Sequence, residues 1–174
     1  GMSVTPPSSG GNIPHHPYPH PNRKQIPPNI KTIIDELYAI DVKKSPNAKY
    51  AFARVVFENV LKYVVENTRY NNASGKNIAL IDSNCLKSAK PKKGHPYTNF
   101  TDLKNKFLEI VTNKGKQNAL RKFDLDGMNQ IIHNYNIKIS DRDVKKECDN
   151  LIPIIEFLLQ EEADLIASLD TSKL

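Results

Sequence analysis

An imidazole, a guanidinium and a run of amines are the groups in this 174-residue chain best suited to act on another molecule. His133 stands in the stretch Asn129-Gln130-Ile131-Ile132-His133-Asn134-Tyr135-Asn136. Asn129 precedes it by four residues, one helical turn, and projects on the same face. A His and an amide on one face can hold a phosphate. The plainer alternative is that His133 caps its own helix and bonds to a backbone carbonyl, as most buried polar groups serve structure. Asn134 is a residue type that ends helices, and a helix's carbonyl end favours imidazolium. A second pair is Arg54 and Glu58, one turn apart among apolar neighbours. Exposed, they form an ordinary i,i+4 ion pair; buried, each needs the other. We expect this pair to share a crevice with His133.

The amines are unevenly placed. Residues 71–123 hold eleven basic and three acidic groups, whereas residues 124–174 hold five basic and eleven acidic. Lys90, Lys92 and Lys93 are the densest part of a block running from Lys76 to Lys122. Such a block attracts phosphate backbones by counterion release. The competing reading is that these lysines solubilise a loop and pair with the acidic last helix. No GxGxxG, Walker, HExxH or paired CxxC spacing occurs. Cys85 and Cys148 are lone thiols, Cys148 on an apolar stripe. His15, His16 and His20 lie in a Pro-rich segment without Cys or carboxylate neighbours, which reads as a solvated linker. We therefore expect neither a metal site nor a cofactor.

The elements that must position these groups are helical. Eight of twelve prolines lie in residues 1–28, an extended arm or linker that packing could pin. The folded part is expected from Asn29, as a cap for a helix with Ile30, Ile33, Ile34, Leu37 and Tyr38 on one face. A longer helix over about 48–68 is apolar on so wide a surface that it should be central. Residues 69–98 read as an excursion, with 77–86 either a short helix or a strand and 87–98 a loop. Asn99 should cap a third helix, ended by Gly115. A fourth stretch leads to His133 and can restart at Asp124 or Asp126. Ser140 and Asp143 cap a last helix reaching about residue 169, its stripe Val144, Leu151, Leu158 and Leu165 near heptad spacing and Pro153 kinking it.

No convincing period-two pattern appears, so the expected fold is all-α: a four- to five-helix bundle over 29–174 with a basic insertion at about 70–98. No apolar run is long enough to span a bilayer, and no signal segment or disulfide framework is evident. These features suggest a cytoplasmic protein without membrane contact.

The stretches IKTIIDELYAIDVKKSPNAKYAFARVVFENVLKYVVE and MNQIIHNYNIKISDRDVKKECDNLIPIIEFLL resemble bacterial helical domains that accompany partition-protein-B-like (ParB-like) nuclease domains. Those domains are similar to the HEPN superfamily of defence, toxin–antitoxin and RNA-processing bundles. The resemblance covers about 30–66 and 128–159. It implies a homodimer that binds RNA, nucleotide or a partner domain or protein, with a site across the two-fold. Active members are metal-independent endoribonucleases with an Arg and, after a short spacer, a His. His133 matches that His, but Asp126, Gly127 and Met128 stand where the Arg belongs. Asn129 matches a polar position of the related domains but carries no charge. The implication is a catalytically degenerate binding module, unless Arg54 supplies the charge and His133 cleaves RNA. A pure dimerisation or scaffolding domain is the third reading.

Overall fold

The computed structural model describes residues 17–92 and 100–174. The described residues form an all-α bundle of seven helices with one small hairpin: α1 (Pro28–Ala39), α2 (Pro46–Asn67), β1 (Arg69–Asn71), β2 (Asn77–Ala79), α3 (Phe100–Ile110), α4 (Lys114–Lys122), α5 (Leu125–His133), α6 (Asp141–Leu158) and α7 (Glu162–Ala167). Short 3-10 turns lie at Leu80–Asp82, Lys87–Ala89 and Thr171–Lys173.

Helix α2 is the axis of the bundle. Ala53, Val56, Phe57, Val60, Leu61, Val64 and Val65 are all sealed from solvent, so apolar residues cover more than one face of the rod. α1, α5, α6, β2 and the Leu80–Asp82 turn all pack on it, as its broad apolar surface predicted. Phe57 meets Phe100 and Phe123 edge to face, with ring centroids 5.6 and 4.9 Å away. That aromatic contact ties α3 and the α4–α5 junction to the axis.

Several boundaries differ from the sequence expectation, each for a local reason. α1 starts at Pro28 with Pro27 in the capping position, so Asn29 lies inside the first turn rather than capping it; proline suits the start because its missing N–H is unneeded there. Gly115 opens α4 instead of closing α3, since Asn113 caps α4 by accepting the Lys116 N–H at 3.0 Å. The chain breaks just before, where Val111 forms an antiparallel bridge with Leu169. Asp124 restarts the fourth stretch as α5 by accepting the Gly127 N–H at 2.9 Å. Ser140 caps α6 through the Asp143 N–H at 3.1 Å, as expected. α6 runs through Pro153 and stops at Leu158; α7 begins only at Glu162. The expected single last helix is thus two, and the all-α bundle holds seven helices among the described residues where four to five were expected. Asn99 lies outside the described residues.

The excursion contains both alternatives in sequence: a strand over 77–79 and then a 3-10 turn. β1 and β2 pair antiparallel, with Tyr70 opposite Ile78. Gly75, at φ 76°, closes the hairpin with its N–H on the Asn72 carbonyl at 2.8 Å, a backbone state that glycine adopts without strain.

The described part of the Pro-rich arm, from residue 17, lies against the bundle. Ile26 joins the core, and Tyr18 packs edge to face on Tyr38 at 5.9 Å. The Arg23 N–H bonds the Leu159 carbonyl at 2.9 Å. Its guanidinium, 6% exposed as a residue, donates to Thr68 Oγ1 at 2.9 Å and to the Asn67 carbonyl at 3.2 Å. One arginine therefore ties the arm to the ends of α2 and α6.

Candidate functional site

His133 is the last residue of α5, and its side chain is exposed. Asn134 is the C-cap: its N–H reaches the Gln130 carbonyl at 2.8 Å, while its Oδ1 accepts the Asn136 N–H at 3.0 Å. Its backbone is extended, φ −134° and ψ 103°, so it ends the helix by an Asx turn rather than by the left-handed state favoured for Asn at this position. Asn129 is half-buried one turn upstream. Near His133 in the chain, Ile132 is 48% exposed, Tyr135 96% and Ile137 37%. These exposed apolar residues next to His133 in the chain were not anticipated from the sequence, because the periodicity of α5 puts Ile132 in line with the buried Leu125 and Met128.

Arg54 and Glu58 lie between the two extremes considered for them. Their side chains are 21% and 23% exposed, with Nε and Oε2 3.8 Å apart. Lys62, a further turn on, makes the closer contact to Glu58, at 2.6 Å. The three form a charge ladder along α2 that ends with the Lys62 ammonium 6.0 Å from the Phe100 ring centroid. Among the described residues no hydrogen bond or ion pair joins Arg54 to His133; the acid that Arg54 meets is Glu58.

The basic block divides in three. Lys104 is withdrawn into the bundle, 8% exposed, with Nζ 3.5 Å from the Phe123 carbonyl; burial lowers its pKa. Lys90 and Lys106 are held by nearby acids, Lys90 by Asp82 at 2.5 Å and Lys106 by Asp102 at 3.1 Å. Lys87 and Lys92, together with Lys114, Arg121 and Lys122 of α4, are exposed. α3 packs against both α4 and the Lys87–Ala89 turn, so the cations of the turn and of α4 flank one helix. Among the described residues the ion pairs of the block run to Asp82 and Asp102, not to α6 or α7. Lys93 lies outside the described residues.

Two groups not singled out in the sequence are the buried Arg23 and Lys49. Lys49 was discernible, for it falls in step with Ala53, Val56 and Val60 on the apolar face of α2. Nothing periodic marks Arg23. Among the described residues no group of His, Cys, Asp and Glu is placed to hold a metal ion, and no helix is long and apolar enough to cross a membrane. Burial raises the Cys148 thiol to about 11 and also raises Cys85, which keeps both thiols protonated and poorly nucleophilic at neutral pH.

Comparison of the chain with models of protein families, with curated proteins and with solved structures returns no match.

Proposed function

We propose that this chain is a helical module that binds RNA through the basic face formed by the Lys87–Ala89 turn, α3 and α4, and that it works as a homodimer. The observation that carries this reading is the exposure of Lys87, Lys92, Lys114, Arg121 and Lys122 on elements flanking α3. Phosphates are the ligands that unpaired surface cations bind with a gain from counterion release. The exposed Ile132, Tyr135 and Ile137, close together in the chain, support the dimer, since exposed apolar surface is what association buries. Such a pairing would place both copies of His133 beside the interface.

The HEPN-like, ParB-associated resemblance belongs to the same proposal, together with a place in bacterial cytoplasmic defence or RNA processing. The all-helical fold and the position of His133 at the end of α5 support it. The module is proposed as non-catalytic: the Arg expected before His133 is missing, and Arg54 is engaged by Glu58. Titration of labelled single-stranded RNA across a salt series tests the binding claim.

A further inference from the structure

Between α1, its following turn and α6 lies a cavity of about 390 Å³, at the small end of the range of ligand sites. Its walls are Tyr38, Ile40, Val42 and the buried Cys148, and Lys49 reaches into it from α2. Lys49 is 8% exposed. Its Nζ donates to the Ile40 carbonyl at 2.9 Å and stands 5.7 Å from the centroid of the Tyr38 ring. An ammonium carries three donors, and the Ile40 carbonyl takes one. The other charged groups of the lining are Lys145, Asp149 and Asp41. Lys145 pairs with Asp149 at 2.5 Å, and Asp41 accepts the Lys43 and Lys44 N–H groups at 2.9 and 3.2 Å.

Taking an ammonium out of water is costly unless an acceptor, best a negative one, meets it. Burial accordingly depresses the Lys49 pKa, against the opposing pull of the Asp149 and Asp41 carboxylates. A planar anion would occupy the free donors with charge-assisted bonds. The ring of Tyr38 and the side chains of Ile40 and Val42 would take an apolar body behind it. Tyr38 is itself fixed, because its hydroxyl donates to the Cys148 carbonyl at 2.7 Å. The wall is thus preformed.

We infer that this cavity is a binding site for a small carboxylic acid with an apolar body, its carboxylate on the Lys49 ammonium and its chain against Tyr38. The site is independent of the basic face proposed to bind RNA.

The test is a titration of the full isotope-labelled chain with hexanoate and, separately, with its neutral analogue hexanamide, followed by amide chemical shifts. Hexanoate should give saturable shifts confined to residues 38–42, 49 and 145–149. It should bind about tenfold more tightly than hexanamide, the ratio expected for one charged hydrogen bond. Lys49→Met should remove that preference. Equal affinity for the two probes, shifts that never saturate, or shifts centred on the basic turn and α4 would overturn the proposal, and each is read on the wild-type chain without the variant.

Discussion

The Nη1 of Arg23 lies 2.9 Å from Oγ1 of Thr68, and both residues are buried. The same guanidinium meets Glu162 at 3.2 Å and stacks over Tyr63, 5.2 Å from the ring centroid. Thr68 caps the C-terminal end of α2 and passes its carbonyl to the Leu80 N–H at 2.9 Å. Arg23 thus connects the arm, the axis of the bundle and the start of α7. Arg23→Ala leaves the Thr68 hydroxyl without its donor and should destabilise the fold by about 2–3 kcal/mol. Glu162→Ala, at a half-exposed partner, should cost under about 1 kcal/mol. Urea unfolding of the two variants checks the asymmetry; equal small losses would mean that Arg23 is not a tie.

Gly127 is a second sensitive point. A Cβ there would run into the carboxylate of Asp124 and stand 2.7 Å from the Tyr50 hydroxyl, the two groups that hydrogen-bond across α2 and α5. Alanine favours helix by about 1 kcal/mol over glycine. Overpacking of a fixed contact costs about 1–3 kcal/mol, so Gly127→Ala should lower the melting temperature. Tyr50→Phe removes one hydrogen bond and should cost about 1 kcal/mol. A higher melting temperature for Gly127→Ala would show that the Asp124–Tyr50 contact yields readily.

The carboxyl of Glu147 gives a pH signature. Its Oε2 is buried and has no hydrogen-bond partner among the described residues. Burial raises its pKa, and the charges of Asp124 and Asp143 add to the rise; the Asp124 backbone N–H and the Lys146 charge oppose it. The folded chain therefore holds this proton more tightly than the unfolded chain. The resulting stability is complete below the ordinary glutamate range and is lost as pH climbs through the raised folded value. Glu147→Gln keeps an acceptor without the charge. It should be more stable than wild type at neutral pH, with the advantage shrinking in acid. Chemical denaturation at several pH values checks this, and a difference that does not change with pH would refute it.

The legible parts of the fold were those set by apolar spacing. The faces of α1 and α2 follow directly from Ile30, Ile34, Leu37 and from Ala53, Val56, Val60. The caps Asp124 and Ser140 carry their own chemistry and were readable as well. Gly115 misled because glycine marks a helix end only when the next residues cannot start another, and Asn113 starts one. The break between α6 and α7 carried no proline or glycine to mark it, and the partner that meets the Leu159 carbonyl there, the Arg23 N–H, lies far away in sequence. In the candidate site, the position of His133 at a helix end was readable, whereas its exposure was not. The pairing of Arg54 with Glu58 was readable from its spacing while its burial was open, and the withdrawal of Lys104 from the basic block needed its contact with the Phe123 carbonyl to reveal it.

The exposed apolar residues that flank His133 in the chain should govern assembly. The double variant Ile132→Ser, Tyr135→Ser removes the most exposed apolar groups while leaving the core untouched. Sedimentation at micromolar concentration should show wild type as a dimer and the variant as a monomer, with unchanged helical content. A monomeric wild type would remove the dimer from the proposal. In parallel, RNA incubated in chelator with wild type or with His133→Ala should remain equally intact; cleavage by wild type alone would replace the non-catalytic reading by a ribonuclease one.

The most direct measurement is the salt dependence of single-stranded RNA binding, for wild type and for the triple variant Lys114→Ala, Arg121→Ala, Lys122→Ala. Each cation that displaces a counterion contributes about 0.7 to the slope of log K against log salt on a single strand. If α4 forms the binding face, wild type should bind at low salt and weaken steeply as salt rises, and the variant's slope should be shallower by about 2. No binding by wild type at low salt, or identical slopes for the two proteins, would contradict the account.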